Sequence, residues 1–272
     1  IGDFTLILPA VASLKKNIPN SKIICLVSKN VEDLALQCEF IDEVITDKKI
    51  KNLYCLLKEY KFDIAISFFS TFRIGYLLKK LNIPLRLAPK TKLAQIFYNY
   101  KLSQKRSKSK KPEYEYNIDL VYELFRIINI SNIKEMSLGP YLKYDHEIVS
   151  KNRINFINEY NLNPDKKIIF LHPGTGGSSK GLSLNDFGNI CKGLRNFDDY
   201  NFLVHCSIEE EQIAKNLKIS VDNEVTIRVI EPKKSILYMI NNISICDIFI
   251  AGSTGPLHIA GALNKRTIGF YP

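Results

Sequence analysis

The chain has 272 residues, of which 46% are hydrophobic and 24% are charged, and this composition excludes a disordered or fibrous protein. No apolar run approaches the roughly eighteen residues that a membrane-spanning helix needs. The formal net charge of +10 favours anionic partners, such as nucleic acid, acidic lipid headgroups or phosphorylated substrates.

Short β-branched runs alternate with amphipathic helical stretches along the whole chain. This pattern predicts an α/β protein with parallel sheets, and the continuous apolar runs are typical of strands buried on both faces. Two such series, divided near GPYLKYDHE, indicate two Rossmann-like domains, 1–143 and 144–272, that face one cleft. Strands are predicted at 22–27, 43–46, 62–68, 84–88, 166–173, 201–206, 224–230, 247–251 and 266–271.

Both ends of the sequence suggest that it continues beyond them. The chain begins at a helix start without a strand before it, and it stops on a strand. A doubly wound parallel sheet has a strand before its first helix. We therefore expect a further strand before the sequence and further helices after it.

Cysteine and histidine spacing predicts neither a metal site nor a disulfide framework. The six cysteines form no CxxC pair, and the four histidines are scattered. We expect buried thiols in a reducing cytoplasm.

The segment KLSQKRSKSKKPEYEY (101–116) interrupts the alternation, with six Lys or Arg residues between positions 101 and 111. A solvated surface loop and a mobile flap over an anionic substrate both fit this charge run. A single-stranded nucleic-acid platform fits it less well, because aromatic residues enter the segment only at Tyr114 and Tyr116.

Three predicted junctions at helix starts could hold a ligand, because open α/β sheets bind ligands at the carboxyl ends of their strands. The first is IGDF, at the start of the chain. Asp3 in this motif is either a helix N-cap or a general base aimed into the cleft, and both interpretations stay open.

The second junction is HPGTGGSSKGLSLNDF (172–187). Its glycines allow backbone N–H groups to turn toward an anion, and Lys180 adds a positive charge. Ser183 and Asp186 predict a variant of the capping box at the helix start. The sequence lacks the GKS or GKT of a Walker A loop, so an anion-binding loop and a plain glycine-rich turn remain as interpretations.

The third junction is GSTGPLHIAGAL (252–263). Thr254 is positioned to cap the helix, Gly255 allows close backbone approach, and Pro256 suits the first helical turn. His258 follows about one turn later, where it either packs against the sheet or faces the cleft. Two anion-binding helix starts in one domain suit a nucleotide diphosphate.

The motifs GDFTLILPAVASLKKNIPNSKI, HPGTGGSSKGLSLNDF and AGSTGPLHIAGALNKRTIGFYP, in this order, resemble glycosyltransferase family 9, the ADP-heptose:lipopolysaccharide heptosyltransferases. The resemblance implies a GT-B fold in which the carboxyl-terminal domain holds most of the nucleotide sugar. It also implies an ADP-sugar donor and an anionic lipid A–core acceptor, with no cofactor, metal or nucleic acid. The protein would be cytoplasmic, with peripheral contact to the inner membrane.

The resemblance also assigns roles to individual positions, with Asp3 as the catalytic base. Glu210 resembles the acid that binds the ribose, with Glu209 as the alternative register, and Lys234 falls beside the adenine. The basic segment 101–111 falls in a mobile acceptor-binding region. The residues that match the diphosphate loop are Thr175, Gly176 and Lys180, and those that match the (D/S)TGxxH cradle are Ser253, Thr254, Gly255 and His258.

The implied reaction is a direct, inverting, metal-independent transfer. The acceptor hydroxyl attacks the anomeric carbon, Asp3 takes its proton and ADP leaves, while Lys180 and the two helix N-termini stabilise the diphosphate charge. Several family members have Asp in place of Ser253, so a nucleotide-sugar-binding member without catalysis is an alternative. A nucleic-acid-binding domain is a second alternative, from charge alone.

Overall fold

A computed structural model of the chain describes residues 1–47, 50–90, 93–135, 138–175, 181–195, 197, 199–221 and 224–271. Helices and parallel strands alternate in it, as predicted. The helices are α1 Gly2–Thr5, α2 Leu8–Asn17, α3 Glu32–Leu36, α4 Ile50–Lys58, α5 Phe72–Lys80, α6 Glu113–Ile127, α7 His146–Glu159, α8 Leu184–Arg195, α9 Glu211–Val221, α10 Ile236–Ile245 and α11 Gly255–Ala262. The strands are β1 Ile24–Val27, β2 Glu43–Thr46, β3 Ile64–Ile66, β4 Leu85–Pro89, β5 Tyr100–Leu102, β6 Lys167–His172, β7 Tyr200–Val204, β8 Ile227–Val229, β9 Ile248–Gly252 and β10 Arg266–Phe270.

The chain divides into two compact units. The first unit comprises Leu6–Leu36 and Phe40–Ser137, and the second comprises Ile1–Thr5, Gln37–Glu39 and Leu138–Pro272. The division into functional domains at 143/144 stays a prediction.

The second unit contains a five-stranded parallel sheet in the order β10-β9-β6-β7-β8. The apolar run of β6 lies in its centre, where Phe170 pairs with Leu203 of β7 on one side and with Phe249 of β9 on the other. The chain leaves β6 toward β7 and later returns to place β9 on the opposite side. The strand order therefore reverses between β6 and β9, which is the topological switch point where open α/β sheets bind ligands.

The first unit contains two parallel sheets, one of β1 and β2 and one of β3, β4 and β5. Helix α6 covers both α2 and β4, through Phe125 against Ala10 and through Leu120 against Leu87. All nine predicted strands are present, with ends that differ by up to three residues from the prediction. The tenth strand, β5, overlaps the start of the basic segment, which was expected to be a loop or flap throughout.

Helix starts follow local side-chain chemistry. The capping pair predicted at α8 is confirmed, because the Asp186 Oδ2 accepts from the Ser183 backbone N–H at 2.9 Å while the Ser183 Oγ accepts from the Asp186 N–H at 3.2 Å. Asp3 lies within the first turn of α1 and not at its N-cap. Pro9 then stands in the first turn of α2, so the apolar start forms two helices.

The expectation of burial holds for four of the six cysteines. Cys25 is half-buried and Cys55 is exposed, so the expectation is wrong for Cys55. Across the described ranges, no helix combines the length and the apolar character needed to cross a bilayer.

Candidate active site

The second and third junctions leave the sheet side by side at the switch point. His172 at the end of β6 pairs with Ala251, one residue before the end of β9. A Cβ on Gly252 would lie 3.7 Å from the Cα of Gly181, and a Cβ on Gly181 would lie 2.9 Å from the Thr175 methyl. The backbones of the two junctions therefore approach each other closely, as the pairing of two phosphate-binding loops would require.

The N-terminus of α11 presents the buried hydroxyl of Thr254. Thr254 is the N-cap and only 6% exposed, and Pro256 stands in the first turn, both as predicted. The predicted capping bond is not made, because within the described part of the chain the Thr254 Oγ1 has no hydrogen-bond partner. The first-turn N–H groups of a helix also lack intrahelical partners, so this end suits an anion.

Helix α1 packs on this same end of α11. The His258 ring lies 3.2 Å from the position of a Cβ on Gly2, and the Ile1 side chain lies 3.1 Å from that of a Cβ on Gly255. Asp3 is exposed next to this contact. Burial lowers the pKa of His258, and the nearby Asp3 carboxylate opposes that shift. An exposed carboxylate and a half-buried imidazole therefore lie together at the N-terminus of α11, the helix end that suits an anion.

A buried histidine pair supports the neighbouring strand ends. The His172 Nδ1 lies 2.9 Å from the His205 carbonyl oxygen and 3.3 Å from the His205 Nδ1. A carbonyl only accepts, so the His172 Nδ1 carries the hydrogen and the His205 Nδ1 is the bare nitrogen. Burial lowers the pKa of both rings, that of His205 to about 3. Both imidazoles are therefore neutral and serve packing and orientation.

Glu210 lies beside this pair and is buried, whereas Glu209 is exposed. The Glu210 Oε2 accepts from the Ser207 Oγ at 2.9 Å and lies 3.8 Å from the His172 Nε2. A Cβ on Gly174 would overlap with the Glu210 carboxyl group. The carboxylate is thus fixed against the loop that follows β6, as a ligand-orienting acid would have to be.

The other predicted residues are distributed around these junctions. Thr175 and Ser253 are half-buried in the loops after β6 and β9, and Lys234 is exposed just before the α10 N-cap. Gly176 and Lys180 lie outside the described residues. Gly174, His172 and His205 were not among the predicted site residues. The pattern that could have revealed the histidines is their common position at the ends of IIFLH and FLVH, two adjacent parallel strands.

Comparisons with known proteins identify the family. A model of glycosyltransferase family 9 (heptosyltransferase) matches residues 50–272. The chain belongs to this family. A Haemophilus influenzae protein named as a glycosyltransferase is 39% identical, with 100% of this chain and 80% of that protein covered. Lipooligosaccharide heptosyltransferase 2 of Campylobacter jejuni is 24% identical, with 100% and 78% covered.

The fold comparison agrees with the family. The structure of the E. coli ADP-heptose LPS heptosyltransferase II superposes with a TM-score of 0.77 at 16% sequence identity, covering 98% of this chain and 81% of that one. The resemblance to family 9, the GT-B fold class and the transferase activity are therefore confirmed.

In this family 9 protein the basic segment lines a cavity of the first unit. The cavity has a volume of about 570 Å³ and lies between residues 102–111 and α6. Arg106 pairs with Glu113 and Lys111 pairs with Asp119, while Lys105 and Lys110 also line the cavity. For Lys105 and Lys110, no carboxylate partner is found among the described residues.

Metal ligands do not cluster in the described parts of this glycosyltransferase. Within those ranges, no three His, Cys, Asp or Glu side chains stand together as a metal site would need. A metal-independent reaction stays a prediction.

Proposed function

We propose that this protein transfers a heptose or a related sugar from an ADP-sugar to a lipopolysaccharide or lipooligosaccharide core. The transfer would invert the anomeric carbon and need no metal ion. The observation that carries the proposal is the buried Thr254 hydroxyl at the α11 N-terminus, which has no hydrogen-bond partner among the described residues and lies beside the second glycine-rich junction. The names of the E. coli structure and the C. jejuni relative support the sugar and the acceptor class.

The donor diphosphate would bind at the switch point. The α11 N-terminus offers N–H groups and its dipole, and Thr254 adds a hydroxyl donor. Gly252 and Gly181 bring the two junctions close together, so one diphosphate would contact both. We expect Gly176 and Lys180 to complete the cradle from the same loop, Glu210 to bind the ribose and Lys234 to flank the adenine.

Asp3 would act as the general base. Its carboxylate is exposed, so an acceptor hydroxyl can reach it, and it stands beside the α11 end where the diphosphate would lie. The acceptor oxygen forms its bond to the anomeric carbon as the bond from that carbon to the diphosphate oxygen breaks. The hydroxyl proton passes to Asp3 and the electron pair leaves with ADP. The helix end stabilises the charge that grows on the leaving diphosphate.

The acceptor would be anionic and would bind in the first unit. The cavity beside the basic segment has room for sugar residues, and Lys105 and Lys110 can meet phosphate or carboxylate groups. A cytoplasmic protein with an acceptor held in the inner membrane fits these features.

Sugar transfer by the full-length protein tests the proposal. ADP-heptose and a core acceptor are the substrates, and ADP release and product mass are the readouts. We expect Asp3→Asn to lower the rate by about 10²–10⁴-fold, as for loss of a general base, with unchanged ADP affinity. Asp33→Asn is the matched control, because Asp33 is also an exposed acid in the first turn of a helix.

Three further outcomes bear on the proposal. Equal rates in buffer and in EDTA are expected, and loss of turnover in EDTA would contradict the metal-free reaction. Tight ADP binding without transfer to any core acceptor would instead identify a non-catalytic binding member of the family. Wild-type turnover by Asp3→Asn would overturn the assignment of the base.

A further inference from the structure

The positive charge of the chain is concentrated in one stretch. Residues 64–112 contain 12 Lys or Arg and no Asp or Glu, whereas the other 223 residues contain 26 basic and 28 acidic side chains. The whole excess of positive charge therefore belongs to a segment that forms β3, α5, β4, β5 and their connections. Only the end of this segment lines the cavity proposed for the acceptor, so the other basic side chains have no assigned role.

The same stretch exposes aliphatic side chains on a 3₁₀ helix, Leu93–Phe97. Leu93 is 80% exposed and Ile96 is 62% exposed, while Ala94 and Phe97 are buried on the opposite side. Because a 3₁₀ helix has three residues per turn, Leu93 and Ile96 share one face. That face is apolar and turned to solvent, the reverse of the usual pattern for a surface turn.

Helix α5 extends this face. Phe72 and Tyr76, four residues apart, are 57% and 46% exposed. Both rings contact the Phe97 ring edge-on, and the distance between ring centroids is 4.7 Å for Phe72 and 5.9 Å for Tyr76. Because Phe97 belongs to the 3₁₀ helix, α5 packs directly against that helix, and the two adjoining elements together expose four large apolar side chains. We call Phe72, Tyr76, Leu93 and Ile96 the apolar patch.

Exposed lysines stand on the same elements as the apolar patch. Lys79 and Lys80 follow Tyr76 by one turn of α5, Lys90 follows β4 and Lys101 lies in β5. We call these four residues the rim lysines. In the described part of the chain, none of them pairs with a carboxylate. The Lys80 Nζ lies 4.5 Å from the centroid of the Tyr54 ring. Arg73 differs, since it pairs with Asp47.

We propose that the apolar patch and its rim lysines dock the protein on the surface of an anionic lipid bilayer. Leu93, Ile96 and the two aromatic rings would enter the boundary between headgroups and acyl chains, where apolar side chains are favoured. The rim lysines would meet the negative headgroups, and the absence of acidic residues from 64–112 removes the repulsion that such a surface would exert.

The aliphatic members of the patch favour a bilayer over nucleic acid. Bases stack on aromatic or guanidinium planes, and Leu93 and Ile96 offer neither. A bilayer gains from any exposed apolar side chain, whatever its shape. This inference deepens the proposed function, because a lipid-linked acceptor lies in a bilayer, but its test needs no sugar transfer.

Vesicle sedimentation with the full-length protein tests the proposal. The vesicles are phosphatidylcholine alone or phosphatidylcholine with phosphatidylglycerol, without any saccharide lipid. Wild type should bind the anionic vesicles, less strongly as salt rises, and bind the neutral ones weakly. L93N/I96N should lower the affinity at least about tenfold through lost apolar insertion. K79Q/K90Q should lower it by about fivefold for each lysine and flatten the salt dependence.

Matched controls separate docking from general surface changes. L138N/I219N changes two side chains that are 81% and 73% exposed in the second unit, and K58Q/K151Q removes two exposed lysines elsewhere. Both controls should bind vesicles like wild type. Thermal melting should give the same midpoint for all variants, because every substituted side chain is exposed.

Several results would overturn the proposal. These are no binding of wild type to anionic vesicles, equal binding by L93N/I96N, or an equal loss in the controls. A single-stranded RNA that binds wild type and L93N/I96N alike, without vesicle binding, would assign the charge to nucleic acid. A dimer that L93N/I96N dissociates, without vesicle binding, would assign the patch to a second copy. Transfer to a delipidated core acceptor should be unchanged in L93N/I96N, so a failed docking test and a failed transfer test remain distinguishable.

Discussion

The Glu210 carboxylate lies against the Cα of Gly174, in the space that any side chain at position 174 would occupy. Gly174 follows the end of β6 by two residues, and Glu210 ends the 3₁₀ helix that follows β7. The contact therefore joins the loops of two adjacent strands. The carboxylate cannot simply move away, because its Oε2 also accepts a 2.9 Å hydrogen bond from the Ser207 hydroxyl.

Gly174→Ala is expected to displace the Glu210 carboxylate and break its hydrogen bond with the Ser207 hydroxyl. Overpacking of a buried site costs about 1–3 kcal/mol, so the free energy of unfolding should fall by that amount in urea titrations. ADP affinity, measured by calorimetry, should fall with it. The control is Gly193→Ala on α8, where a Cβ would meet no atom within 4 Å. Equal stability of Gly174→Ala and wild type would mean that the two loops are not in contact.

Thr254→Val separates ligand binding from stability. The buried hydroxyl has no partner among the described residues, so its removal should leave the stability of the ligand-free protein unchanged or raise it. A hydrogen bond to a charged group contributes about 1.5–3 kcal/mol, so ADP should bind at least about tenfold more weakly. Thr254→Ser keeps the hydroxyl and should bind ADP like wild type. Unchanged ADP affinity in Thr254→Val would contradict a diphosphate at this helix end.

Features that depend on local sequence were predictable. The run KIIFLH predicts β6 because a central parallel strand is buried on both faces. Ser183 and Asp186 predict the start of α8 because the two capping residues lie only three positions apart in the sequence. Strand β5 was not predictable, since Tyr100–Leu102 is three residues long, carries a lysine and pairs with a single neighbour.

The interior of the site could not be predicted from local patterns. His172 and His205 are 33 positions apart, and they meet only because β6 and β7 are neighbours in the sheet. The Glu210 contact with Gly174 has the same origin. Strand order results from the packing of the whole sheet, and no short stretch of sequence contains that information.

The stability of the protein should fall in mild acid because of the buried histidine pair. Burial lowers the pKa of His205 from its usual value near 6.5 to about 3, so the unfolded chain takes up a proton first as the pH falls. The contribution of His205 to the free energy of unfolding is therefore fully present above about pH 6.5, and it is lost as the pH drops toward 3. The loss at pH 5 should be on the order of 2 kcal/mol from this group.

Urea unfolding between pH 7.5 and pH 5 measures this effect in a variant. His205→Phe keeps an aromatic ring against Phe170 and Phe249 and removes the titrating group, so the slope of stability against pH should become shallower. An unchanged slope in His205→Phe would show that His205 is not the group that titrates.

Asp3→Asn should move the pKa of His258 downward. Burial already lowers this pKa, and the Asp3 carboxylate acts against burial because it stabilises the protonated ring. Removal of the charge leaves burial unopposed, so the imidazole becomes still harder to protonate. NMR titration of the His258 ring protons measures the change, with Asp33→Asn as the control that should leave the titration unaltered. An unmoved or raised pKa in Asp3→Asn would mean that the carboxylate does not stand beside α11. The base would then have to be sought among other residues.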